Sequence, residues 1–109
     1  MLSAVFGNET AEKTLLYITN YGEGYVNGIA TTFGISPSQV QKQLLRLEAA
    51  GILVARPVGR TKLYTFNPRW AFREELTKLL EKALLRLPEN EIQNFYRKRT
   101  RPRRTGKDL

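Results

Sequence analysis

Residues 36–67 read SPSQVQKQLLRLEAAGILVARPVGRTKLYTFN, and the stretch changes its period once, at Gly51. Before that glycine the repeat is helical. Ser36 is a good N-cap, Pro37 stands at the first helical position, and Gln39 lies three residues after the cap, where its amide can return a capping-box bond. Val40, Leu44 and Leu47 recur at i, i+4 and i+7 and mark a face turned toward a core. Ser38, Gln39, Gln41, Lys42 and Arg46 then fall on or beside the opposite face. Gly51 follows as the C′ residue that ends the helix.

Beyond Gly51 the pattern is that of strands. Ile52 to Ala55 is a short apolar, partly β-branched run, and Lys62 to Phe66 is a second. The six residues between them, Arg56-Pro57-Val58-Gly59-Arg60-Thr61, are expected to form the hairpin loop, with Gly59 supplying a positive φ at the tip. Arg56, Arg60 and Lys62 place three cations on or beside this loop, with no acidic residue among them. Such a loop suits a phosphate backbone or a minor groove. The blander use of the same charges is to discourage pairing of an exposed hairpin edge.

Working outward, Met1 to Phe6 is an apolar stub expected to form a short docking helix. Asn8 can cap a helix from Glu9 to about Tyr21, with Glu9 and Glu12 suiting the dipole of its first turns and Ala11, Leu15 and Ile18 forming its apolar stripe. Gly22-Glu23-Gly24 reads as a turn, and a short helix near Tyr25 to Phe33 follows, ended by Gly34. After Asn67-Pro68 the spacing predicts a longer amphipathic helix from Arg69 to Arg86, roughly 25 Å long at about 1.5 Å per residue. Pro88 breaks the chain before a last segment, Glu89 to about Lys98, whose Ile92, Phe95 and Tyr96 are expected to bury against a neighbour. The order α-α-α-β-β with a terminal helix predicts a mainly α fold with a small β-hairpin (α+β), a winged helix-turn-helix with an extra long C-terminal helix. Residues 1–87 are expected to form this DNA-binding unit with a dimerising terminal helix, and residues 88–109 a short helix followed by a basic tail without fixed structure of its own.

The formal charge is +8, from 18 Lys and Arg against 10 Asp and Glu, and it is unevenly spread. Residues 97–109 hold seven cations against Asp108, which leaves eleven cations against nine acids in residues 1–96. The globular part is thus mildly basic, and the tail adds a sequence-blind attraction to polyanions. With no Cys and no His, the chain lacks thiolate ligands, disulfides and the commonest general base, so no metal or cofactor is expected and an enzyme is disfavoured. No apolar run approaches the roughly 20 residues of a membrane span, and Met1 to Phe6 is too short for a secretory signal, so a cytoplasmic protein with no membrane partner is expected.

At this point the chain resembles the winged helix-turn-helix transcriptional regulators of the ArsR/MarR-like superfamily. The resemblance covers about residues 9 to 70. It lies in Ile29-Ala30 with Phe33-Gly34-Ile35-Ser36, in Val40, Leu44 and Leu47, in Glu48-Ala49-Ala50-Gly51-Ile52-Leu53, and in Gly59-Arg60 with Tyr64 and Asn67-Pro68. It implies that residues 36–50 enter the major groove of double-stranded DNA while the wing, residues 52–66, touches the flanking backbone or minor groove. Carried over by position, Ser36, Ser38, Gln39, Gln41, Lys42 and Arg46 would contact DNA from the helix, and Arg56, Arg60 and Lys62 from the wing. Metal-sensing members carry a Cys motif in the recognition helix or His and acid clusters on terminal helices, and this chain has neither Cys nor His. Leu45 stands where such proteins usually carry a polar residue, which implies cover by a second subunit or by the first helix.

By chemistry, Gln39, Gln41 and Gln43 can read adenine edges bidentately, and Arg46 or Lys42 can reach guanine or phosphate. Homodimer pairing is expected to use Leu2, Phe6, Leu45, Trp70, Phe72, Leu76, Leu79, Leu80 and Leu84. The reading from another class is a winged helix protein-interaction module whose tail holds a polyanion or an acidic protein partner. A third is RNA binding, with Tyr64 or Phe66 stacking on bases beside the tail.

Overall fold

The computed structural model describes residues 1–96; the basic tail, with the expected end of the last segment at Lys98, lies outside the described residues. The chain runs α1 (Ser3–Phe6), α2 (Glu9–Tyr21), α3 (Val26–Phe33), α4 (Pro37–Ala49), β1 (Leu53–Val58), β2 (Thr61–Phe66), α5 (Arg73–Leu85) and α6 (Glu89–Phe95). It is mainly α with one antiparallel hairpin, as its sequence implies. The caps form where short polar side chains precede a helical repeat. Asn8 Oδ1 accepts from Ala11 N at 2.7 Å, and Ser36 Oγ accepts from Gln39 N at 3.3 Å. The reciprocal bond from the Gln39 amide is not among those of the described residues; Ser36 Oγ instead meets Ser38 Oγ at 3.3 Å.

Helix α2 is the central strut, with α1, α3, α4 and α5 packed around it. Leu15, Leu16 and Ile18 from α2 meet Ile29 and Ala30 from α3, Val40, Leu44 and Leu47 from α4, Leu53 and Tyr64 from the hairpin, and Leu80 and Ala83 from α5. Each fully buried Leu or Ile contributes about 1.5–3 kcal/mol of burial, so the apolar face of α4 is held by this core and not by helix propensity. Gly51, at φ +82°, closes α4 with a Schellman pair: Gly51 N donates to Glu48 O at 2.9 Å and Ile52 N to Leu47 O at 3.0 Å. The glycine thereby sets the angle at which the hairpin leaves α4.

Four features depart from the sequence reading. The hairpin is longer and its loop shorter than expected. The register runs from Leu53 opposite Phe66 to Val58 opposite Thr61, leaving only Gly59-Arg60 as the turn. Pro57 is admitted opposite Lys62 because β1 is an edge strand, where a missing N–H is tolerated. Second, the Gly22–Gly24 turn also supplies a partial third strand: Gly24 N donates to Tyr64 O at 3.0 Å and Tyr64 N to Gly24 O at 2.9 Å. A Cβ at Gly24 would lie 2.9 Å from Ile29 Cδ1 and 3.3 Å from the Tyr17 ring, so a larger residue there would have to displace these buried neighbours.

Third, α5 begins at Arg73 and not at Arg69, and its thirteen residues span about 20 Å. Asn67 delays it. Its Nδ2 donates to Gly51 O at 2.8 Å and its Oδ1 accepts from Arg69 N at 3.0 Å, which ties residues 67–69 into a side-chain-closed turn. Trp70 and Phe72 then pack edge to face, 5.6 Å apart, before the helix starts. Fourth, the last segment buries against its own chain. Tyr96 is 4 % exposed, and the Phe95 and Tyr96 rings lie 5.1 and 5.9 Å from that of Phe33.

The expected pairing residues separate into two groups. Leu80 is 0 % exposed within the single chain, so it belongs to the core and offers no surface to a second copy. Leu2, Phe6, Leu76 and Leu84 are half-buried against that core, and Trp70 is half-buried as well. Leu45, Phe72 and Leu79, at 45 %, 62 % and 40 %, keep a substantial apolar surface exposed. Helix α1 therefore leaves Leu45 uncovered. No helix among the described residues is long and apolar enough to cross a membrane.

Candidate nucleic-acid interface

The turn Gly34-Ile35 joins α3 to α4, and Ile35 N donates back to Ala30 O at 3.0 Å, which closes the helix-turn-helix corner. Val40 and Leu44 are wholly buried and Leu47 nearly so, which turns the opposite side of the first turns of α4 outward. Ser36, Ser38, Gln39, Gln41 and Lys42 are all exposed, and they form one polar surface over the first half of α4. No residue among the described ones makes an ion pair with Lys42.

The second half of that face is different. Gln43 is 8 % exposed and so is withdrawn from any groove; its Oε1 accepts from Arg46 Nε at 3.0 Å. Arg46 Nη2 donates to Phe6 O at 2.9 Å, so the guanidinium ties α4 to the end of α1. The other end of α1 is held by Glu12, whose Oε2 accepts from Leu2 N at 2.8 Å. Arg46 is thus exposed in area but spends two of its donors inside the chain. A residue four positions from Lys42 on the same helix reads as its equivalent in sequence, and only the position of α1 separates their roles.

On the wing, Arg56, Arg60 and Lys62 are exposed, as their charge requires. The register divides them. Arg56 stands opposite Leu63 while Lys62 stands opposite Pro57, so Arg56 and Lys62 project from opposite faces of the ribbon and Arg60 sits at its tip. The ribbon thus carries cations on both faces and at its end. Tyr64 is 1 % exposed, which removes it from base stacking, and Phe66 is half-buried on the core. Burial raises the Tyr64 phenol above its ordinary range, and Glu48 adds to the shift.

Charge-led reading of the sequence passed over Asn27 and Thr31. Both are exposed on α3, one turn apart, beside the inward-facing Ile29 and Ala30. The first helix of a helix-turn-helix crosses the DNA backbone, where neutral amides and hydroxyls are ordinary phosphate donors. Their signal in the sequence was the i, i+4 polar spacing. Among the described residues there is no cluster of three or more carboxylates, His or Cys able to hold a metal ion.

Three helices, a corner, a recognition-type helix and a basic ribbon in this order define a winged helix-turn-helix fold. Solved structures share this fold. Reduced HlyU from Vibrio cholerae N16961 superposes with a TM-score of 0.59 at 21 % identity, over 75 % of this chain and 83 % of that one. The YusO protein of Bacillus subtilis gives 0.55 at 20 % identity, over 83 % and 70 %. A MarR-family transcriptional regulator from Rhodococcus sp. RHA1 gives 0.53 at 18 % identity, over 84 % and 71 %. At these identities the likeness is one of fold. No family model matches the sequence, and no curated protein matches it.

Proposed function

We propose that this chain is a sequence-specific double-stranded DNA-binding protein of the winged helix-turn-helix class, related in kind to the ArsR/MarR-like regulators, and that it controls transcription by occupying an operator. The observation that carries the reading is the division of α4: an inner face locked into the core by Val40, Leu44 and Leu47, and an outer face of exposed Ser38, Gln39, Gln41 and Lys42, leading directly into a basic ribbon. Gln39 and Gln41 can offer bidentate amides to adenine, while Lys42 supplies a cation to guanine or phosphate. Arg56, Arg60 and Lys62 then hold the flanking backbone or minor groove and set the register. Ser36, Asn27 and Thr31 add neutral phosphate contacts. Arg46 serves DNA only through whatever donors its bond to Phe6 O leaves.

Two copies would pair through the exposed Leu45, Phe72 and Leu79, with the half-buried Leu2, Phe6, Trp70, Leu76 and Leu84 at the margins. Two-fold pairing would set two recognition helices about 34 Å apart on a pseudo-palindromic site. The protein would act in the cytoplasm, without a metal or thiol sensor, since the chain has neither Cys nor His.

The test is selection from a random duplex pool with the full-length protein, followed by sequencing and by anisotropy titration of the enriched duplex. Enrichment of a two-fold symmetric sequence supports the reading. Arg60→Ala should then weaken binding to all sequences alike, whereas Gln41→Ala should change the base preferred at one position, with about 1–3 kcal/mol of lost discrimination. If nothing is enriched, or if both variants act equally on specific and random DNA, the proposal fails and the protein-interaction alternative gains.

A further inference from the structure

Arg46 lies on the same stripe of α4 as Gln39 and Lys42, seven residues after the first and four after the second, about 6 Å beyond Lys42 along the axis. It has no carboxylate partner among the described residues, so its charge is not neutralised by them. What withholds it is the end of α1. Nη2 donates to Phe6 O at 2.9 Å and Nε to Gln43 Oε1 at 3.0 Å, which closes the side-on edge of the guanidinium, one of the two edges that can grip an anion bidentately.

Helix α1 is a weak support for that bond. Four residues are far below the length at which a helix stands alone, none of them is fully buried, and Val5 is 69 % exposed. Three things hold it. Leu2 and Phe6 rest half-buried on the core, Glu12 Oε2 accepts from Leu2 N at 2.8 Å and lies 3.6 Å from the Met1 amine, and Arg46 holds the other end. An element with so few buried contacts opens locally at little cost while the core stays folded.

We propose that α1 is a latch on the DNA-binding face: docked, it withholds Arg46, and released, it lets Arg46 grip a phosphate one helical turn beyond Lys42. This rests on the DNA-binding reading above and adds a means of regulating it. Phosphate and the Phe6 carbonyl compete for the same donors, and they compete unequally. The carbonyl is neutral and its bond to Arg46 is exposed, so water contests it, whereas a guanidinium–phosphate bond carries charge on both sides. Arg46 therefore links the two events. Whatever pins α1 down weakens DNA binding, whatever frees it strengthens DNA binding, and by reciprocity bound duplex loosens α1.

Gly7→Val tests this without changing any charge. Gly7 holds φ +102°, where a β-branched residue is strained, and its Cβ would lie 3.8 Å from Arg46 Nη2, so the substitution disturbs α1 at the bond in question. Glu12→Ala disturbs the opposite end. Hydrogen exchange should show the Phe6 and Gly7 amides, bonded to Leu2 O and Ser3 O, losing protection while Ile18 in the core keeps it. Both variants should bind the duplex enriched in the selection about fivefold or more tightly in an anisotropy titration, and in an Arg46→Ala background that gain should vanish. In the unmodified protein, saturating duplex should speed exchange at the same two amides. The latch is overturned by a freed α1 with no gain in affinity, by a gain that persists without Arg46, or by bound duplex that leaves α1 exchange unchanged or slower. It is equally overturned if neither variant frees α1, or if Ile18 loses protection with it in both; the DNA-binding reading then still stands. Failure of the unmodified protein to enrich any sequence sinks that reading instead.

Discussion

Leu80 and Leu79 are adjacent in α5, identical in chemistry, and opposite in consequence. Leu80 is 0 % exposed in the cluster that joins α5 to α2, with Ala83 buried one turn along, whereas Leu79 is 40 % exposed. Truncating Leu80 to Ala removes three buried carbons from a site enclosed on every side, and large-to-small changes of this kind cost about 2–5 kcal/mol. A domain of this size has about 5–15 kcal/mol in total, so the loss is a major fraction of it. At roughly 4–8 °C per kcal/mol, the melting temperature should drop by at least about 8 °C. Leu79→Ala should stay within about 0.5 kcal/mol for the isolated chain, because an exposed leucine leaves no cavity. Urea unfolding followed by circular dichroism, repeated at two well-separated protein concentrations, distinguishes the two roles. The Leu80 loss should be the same at both concentrations, since it is internal to one chain. Any loss from Leu79→Ala should grow with concentration, since it arises from a partner. A Leu80→Ala effect below about 1 kcal/mol, or one that appears only where the protein associates, would refute the assignment of α5's inner face to the core.

Three other expectations follow from the same packing. Thr14 Oγ1 is buried without a hydrogen-bond partner among the described residues, so Thr14→Val should raise stability by about 1 kcal/mol in thermal unfolding; a loss would mean the hydroxyl is satisfied. Gly51→Ala should cost about 1–2 kcal/mol in urea unfolding from left-handed backbone strain alone, because its Cβ would meet Trp70 Cδ1 at an ordinary 3.9 Å. Burial, reinforced by Glu91, Glu12 and Tyr21, pushes the Tyr96 phenol far above its usual range, and burial also raises Tyr17 and Tyr64. The folded chain then keeps protons that the unfolded chain releases near pH 10, so this stability is complete below about pH 10 and declines as pH rises above it. Tyr96→Phe should make that alkaline decline shallower in a pH series of unfolding midpoints, and an unchanged slope would contradict the buried setting of the phenol.

What could be read along the chain was whatever depends on neighbours a few residues away. Ser36 with Pro37 starts α4, Val40, Leu44 and Leu47 mark its inner face, and Gly51 ends it, because capping, helical period and left-handed φ are all settled within one or two turns. The order of three helices and a ribbon, and the polar outer surface of Ser38, Gln39, Gln41 and Lys42, follow from the same local rules. Contacts between distant segments were not legible. A period shows that a face is apolar but not what covers it, so Leu80 and Leu79 read alike until α2 is in place, and Phe95 and Tyr96 read as needing a neighbour that proves to be Phe33 and the end of α2. Charge in a sequence likewise shows that a group is a cation, not that it is free to meet an outside partner. Arg46 turns to the Phe6 carbonyl forty residues away, Gln43 is drawn in beside it, and Arg56 parts from Lys62 across the ribbon by strand register. Tertiary structure decided these because hydrogen bonds and burial are satisfied by whichever groups meet in space, and that meeting depends on how all the elements pack at once.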